Sequence, residues 1–106
     1  MVIKADFETQ DLDGQTIHYS GSVGTTAINI PTVVAKEISE FYIENNISNT
    51  PVTETLSFSC DGGVTFTDLL VGESMIWTPK GRIRQLKIKG STATVNYKMI
   101  VNYEDI

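Results

Sequence analysis

The side chains able to do chemistry are few in this sequence, and their spacing brings no set of them together. His18 is the sole histidine and Cys60 the sole cysteine, and neither lies in a recognisable nucleophile motif. One of each also excludes a zinc site built on those ligands. Asp11-Leu12-Asp13-Gly14 has the alternating carboxylates and glycine that open a calcium loop, but Ser22 stands where the later acidic ligand would fall, so it reads as a turn. Asp61-Gly62-Gly63 poses the same question for phosphate. A phosphate cradle needs a helix after a wider glycine spacing, whereas Val64-Thr65-Phe66 favours a strand. Asn46-Ile47-Ser48 matches a glycosylation acceptor, yet MVIKADFE carries no secretory signal, and the match is read as accidental. No catalytic, cofactor-binding or metal-binding residue is assigned, and no cofactor is expected.

The elements that would carry these residues follow from the pattern around them. Leu56, Phe58 and Cys60 alternate with Ser57 and Ser59, and Val64 and Phe66 resume the alternation after the glycines. That two-residue period describes strands with one apolar face. Asp61, Gly62 and Gly63 then form the structural turn between them, with glycines able to take positive φ and an aspartate able to bond its own backbone. Cys60, on the Leu56 and Phe58 face, is expected to be a buried, inert thiol. His18, between Ile17 and Tyr19, reads as an outward strand residue.

Strand-like segments recur at about 2–8, 15–19, 25–30, 36–45, 53–60, 64–70, 74–78, 82–89 and 92–103. Between many of them lie turn signals such as Asp13-Gly14, Gly72-Glu73, Pro79-Lys80-Gly81 and Gly90-Ser91. The rhythm predicts an all-β, antiparallel β-sandwich, jelly-roll or immunoglobulin-like. A length of 106 residues gives a single domain, able to bury roughly two-thirds of its unfolded surface. The clearest strand is the last, where Val95, Tyr97, Met99, Val101 and Tyr103 share one face, with Asn96, Lys98 and Asn102 opposite. Pro31 to Glu37 could form one short helical turn starting at Pro31. The polar run ENNISNTPVTET, residues 44–55, reads as a long exposed connection. In RIRQLKIKG the apolar phase shifts between Ile83 and Leu86, which predicts a bulge near Arg84-Gln85 and leaves Arg82, Arg84, Lys87 and Lys89 outward.

Charge is unevenly distributed. Residues 1–79 hold eleven acids against Lys4 and Lys36, a formal −9, whereas residues 80–98 hold six bases and no acid; with Glu104 and Asp105 the chain totals −5. Such asymmetry concerns partners, and Arg82, Arg84, Lys87 and Lys89 are the candidate partner-binding residues. Nucleic acid is not the expected partner, because the basic stretch has no aromatic between Lys80 and Lys89 to stack on bases. No segment is apolar enough to span a membrane. Trp77, Phe41, Tyr42, Phe58, Phe66 and Tyr97 could line a sugar-binding face, so a carbohydrate-binding module is an alternative of another class, although core packing accounts for most of them.

The order LSFSCDGGVTF, LLVGESMIW, PKGRIRQLKIKG and ATVNYKMIVNYE resembles small β-sandwich structural proteins of tailed bacteriophage virions, over residues 40–106. The resemblance implies a non-enzymatic virion protein made in the host cytoplasm. Within that class the first reading is a capsid decoration or cement protein binding assembled major capsid protein; the alternative is a tail, neck or fibre-anchoring component. Other virion proteins are then partners, with a homo-oligomer on the particle. Residues 1–39 match no motif, and the division that follows is an extended N-terminal arm over 1–22 and a sandwich domain over 23–106.

Overall fold

A computed structural model describes residues 14–92 and 94–106, and within them every regular element is a strand. In chain order these are β1 (Gly14–Val23), β2 (Ile28–Asn29), β3 (Lys36–Asn45), β4 (Thr55–Ser59), β5 (Thr67–Leu70), β6 (Ser74–Trp77), β7 (Lys87–Gly90) and β8 (Val95–Asp105). They form two four-stranded antiparallel sheets, ordered β1-β8-β3-β6 and β2-β7-β4-β5. First pairs with last, second with seventh, third with sixth and fourth with fifth, as in one long hairpin. Rolling that hairpin adds the β8–β3 and β7–β4 ladders, which is the jelly-roll arrangement among sandwiches.

Alternation drives the packing. Phe41, Ile43, Met99, Val101 and Tyr103 of the first sheet are buried against Leu56, Phe58, Leu69 and Ile88 of the second. Phe58 joins the layers, meeting Phe41 edge-on at 5.3 Å between ring centroids and Trp77 at 5.5 Å; such edge-to-face pairs add to the gain from burial. Gly90 marks a close approach, because a Cβ there would lie 2.6 Å from Val95 Cγ2 and 3.0 Å from the carbonyl oxygen of Val23.

Several expectations are corrected. Residues 14–22, assigned above to an arm, are nearly all of β1 and pair continuously with β8, from Gly14 opposite Glu104 to Val23 opposite Val95. Ile17 and Tyr19 pack against the core, but Ser20, Gly21 and Ser22 dilute the pattern that would have marked the strand's full length. Residues 1–13, with the strand expected at 2–8, lie outside the described residues. The phase shift after Ile83 is a change of sheet, not a bulge: Ile83 bridges Ile38 beside the first sheet, whereas the Leu86 carbonyl accepts from the Ile30 N–H and β7 belongs to the second. The register irregularity falls instead between Ile38 and Glu40 of β3. Pro31 to Glu37 contains no helix; the Lys36 N–H donates to the Val33 carbonyl in a turn where Ala35 has φ of 61°.

Candidate functional site

The basic residues do not form one row. The Arg82 guanidinium is held beside the end of β8, donating to Glu104 Oε1 at 2.8 Å and to the Asp105 carbonyl at 2.7 Å. Arg84 is exposed in the segment that changes sheets. Lys87 and Lys89 alternate with the buried Ile88 and so lie on the outer face of the second sheet, opposite Ser59 and Ser57. The Lys89 ammonium stands 4.2 Å from the Phe66 ring centroid, a cation–π contact. Chain crossing between sheets is what divides the expected row.

The Asp61 turn covers part of that same face. Asp61 Oδ1 accepts from the Val64 and Thr65 N–H groups at 3.1 and 2.9 Å and from the Ser59 hydroxyl at 2.7 Å, and Ser59 Oγ in turn accepts from the Gly63 N–H at 2.9 Å. The Thr65 backbone bond leads, with the Ser59 hydroxyl next, in lowering the Asp61 carboxyl from 3.8 to about 2. Gly62 and Gly63 have φ of 79° and 93°, values that side chains disfavour. The connection is wider than a tight hairpin: strand pairing ends at Phe58–Thr67, so Val64 and Phe66 lie within it. Packing of this loop beside Lys87, whose side chain would meet a Cβ on Gly63 at 3.2 Å, helps explain why Ser59 is buried despite facing outward.

His18 is exposed on β1 and pairs with Ile100. Cys60 is half-buried at the end of the core; desolvation first, and the Asp61 charge second, push its thiol up, away from the reactive thiolate. Asn46 and Ser48 form a local turn in which the Ser48 N–H and hydroxyl both donate to Asn46 Oδ1, at 2.8 and 2.7 Å. Asp11 and Asp13 lie outside the described residues. Among the described residues no group of three or more His, Cys, Asp or Glu is placed to hold a metal ion, and no helix is long and apolar enough to cross a membrane.

The aromatic residues are divided as well. Phe41 and Phe58 are buried in the core, Trp77 is 37% exposed at its rim, and Tyr42 is half-buried with its hydroxyl donating to Glu44 Oε1 at 2.6 Å. Tyr97 lies beside Gly21 and Phe66 beneath Lys89. No sugar platform is assembled from this set.

A polar cluster had no clear signal in the sequence. Residues 44–55 are not simply an exposed connection, because Asn45, Asn49 and Glu54 are buried. Asn49 Nδ2 donates to Asn45 Oδ1 at 2.7 Å and to the Asn96 carbonyl at 2.9 Å, and the Asn96 N–H returns a bond to Asn49 Oδ1 at 2.9 Å. Asn45 Nδ2 reaches the Leu69 carbonyl at 2.9 Å. Glu54 accepts from the Thr92 hydroxyl. The cluster ties β3, β5 and β8 together with side chains that read as loop polarity. A second such link runs from Tyr19 to Tyr103 at 2.8 Å between hydroxyls and on to the Pro31 carbonyl at 2.7 Å; burial, then Tyr19, raises the Tyr103 phenol above its ordinary range.

The described site is thus a sandwich whose polar and ionisable side chains mostly cap turns and join strands. No protein-family model matches the chain, and no curated protein matches it. Solved structures do. A chain from Bacillus endospore appendages, described as a novel family of disulfide-linked pili, is similar at 20% identity with a TM-score of 0.58 and 88% of each chain covered. The Yersinia pseudotuberculosis-derived mitogen gives 17% identity and a TM-score of 0.42 over 87% of this chain and 86% of that one. A chain of the cyanophage Pam1 capsid asymmetric unit gives 14% and 0.42 over 92% and 89%. The likeness to the appendage chain is one of fold.

Proposed function

We propose that this chain is a non-enzymatic structural protein of a virion, a decoration or cement protein that binds assembled major capsid protein and adds contacts across its joints. The motif order over residues 40–106 supports the class. The observation that carries the docking proposal is that neither Arg84 nor Lys87 has an ion-pair partner among the described residues, in a chain whose formal charge is −5. Arg82 is engaged with Glu104 and Lys89 with Phe66, so they serve the fold first. An acidic patch on the capsid subunit would meet Arg84 and Lys87, setting orientation and association rate more than total affinity. Binding only the assembled lattice stabilises that lattice by mass action.

Attachment kinetics on undecorated particles test the docking surface. Arg84→Glu combined with Lys87→Glu should slow association about tenfold at low salt, and added salt should slow the wild type towards the variant. Wild-type association by the double variant at low salt would remove Arg84 and Lys87 from the docking surface.

A further inference from the structure

We propose that β1 is a pairing edge for a second copy of this chain, antiparallel and centred on His18, joining two four-stranded sheets into one. Among the described residues β1 ends its sheet, with β8 on one side only. The other sheet edges are short: β2 has 2 residues, and β5 and β6 have 4 each. Pro79 follows closely after β6. Such brevity is how sheets avoid pairing with other chains, alongside edge charges, prolines and bulges. β1 has none of these devices. It runs for 10 residues in unbroken register with β8, it lacks proline, and Gly14 to Ala35 contains no Asp, Glu, Lys or Arg.

The composition of β1 favours a second copy as the occupant. Two molecules of net charge −5 repel, and here they would meet along a strand without formally charged side chains. Centring the two-fold axis on His18 sets Ile17 against Tyr19 of the second copy on the core side, twice by symmetry. It sets Thr16 against Ser20 of the second copy on the outer side, also twice. Aromatic with β-branched and hydroxyl with hydroxyl are favourable cross-strand pairs. Ile17 and Tyr19 are only partly buried within one chain, so the seam would cover them further. A closed pair of this kind is isologous and leaves no second β1 edge to propagate a fibre.

The free protein tests this without particles, so its outcome is separate from that of the virion reading. Sedimentation over a micromolar-to-millimolar series should show a reversible dimer. His18→Lys, which puts two ammonium groups at the axis, should weaken the dimer by tenfold or more, while His18→Val should retain it. Under mild oxidation His18→Cys should be trapped as a disulfide dimer, since directly paired Cα atoms lie about 4.5–5.5 Å apart. Ser22→Cys should not, because its mate would lie about 27 Å away along the ladder at about 3.4 Å per residue; the native chain, carrying Cys60 alone, is the control. A wild-type monomer at every concentration, or equal trapping at positions 18 and 22, would overturn the pairing.

Discussion

The two sheets enclose one core by different means. The first contains three long strands, β1, β3 and β8, of 10, 10 and 11 residues, with a single irregularity near Ser39. The second has no strand longer than the 5 residues of β4. Long ladders satisfy their backbone internally and expose a clean inward face. Short ones leave more backbone to be satisfied by other groups, and here side chains contribute. Ser59 and Asp61 close one end of β4, while Asn45 bonds the Leu69 carbonyl of β5. Particular polar residues therefore complete the short ladders of the second sheet, while the first keeps long ladders and adds side-chain bonds such as those of Asn49 and Tyr19 to them.

The largest expected effect comes where the sheets meet. Phe58→Ala removes the ring that touches both Phe41 and Trp77 and should cost about 3–5 kcal/mol in denaturant unfolding. A loss below about 1 kcal/mol would mean that the layers do not share one core. Next comes the polar cluster. Asn49→Ala strips its partner from the buried Asn45 Oδ1 and from the Asn96 N–H, leaving the Asn96 carbonyl with the Asn46 N–H alone, and should cost about 1–3 kcal/mol because a buried polar group is left unpaired. A change within about 0.5 kcal/mol would assign the cluster to ordinary surface.

Parts of this contrast were legible in the sequence. The face shared by Val95, Met99, Val101 and Tyr103 reads as a strand because alternation over a long ladder is a local signal, and β3 covers the strand-like segment at 36–45. The Asp61 turn is likewise local chemistry. What escaped depends on contacts distant in sequence. Asn45, Asn49 and Glu54 read as exposed because polar side chains in a connecting segment signal solvation, whereas their bonds reach residues 69, 92 and 96. The shift between Ile83 and Leu86 looks the same whether a strand bulges or leaves for the other sheet. For the same reason Arg82, Arg84, Lys87 and Lys89 read as one outward row although the fold distributes them.

The smallest expected effect lies at the end of β4. The lowered Asp61 carboxyl contributes stability that is present above its unfolded value of 3.8 and is lost as pH falls towards about 2. Asp61→Asn keeps an acceptor but not the charge. Its deficit in thermal stability against the wild type, measured across that window, should shrink as pH falls. A constant gap would show that the charge contributes nothing to the turn.

Copy number in purified particles decides between the proposed decoration role and its alternatives. Quantitative mass spectrometry against the major capsid protein should find on the order of hundreds of copies, following the capsid's repeated subunits. About a dozen copies, the number fitting a portal, neck or tail ring, would contradict decoration and support the tail-side alternative; absence from particles would contradict the virion reading itself.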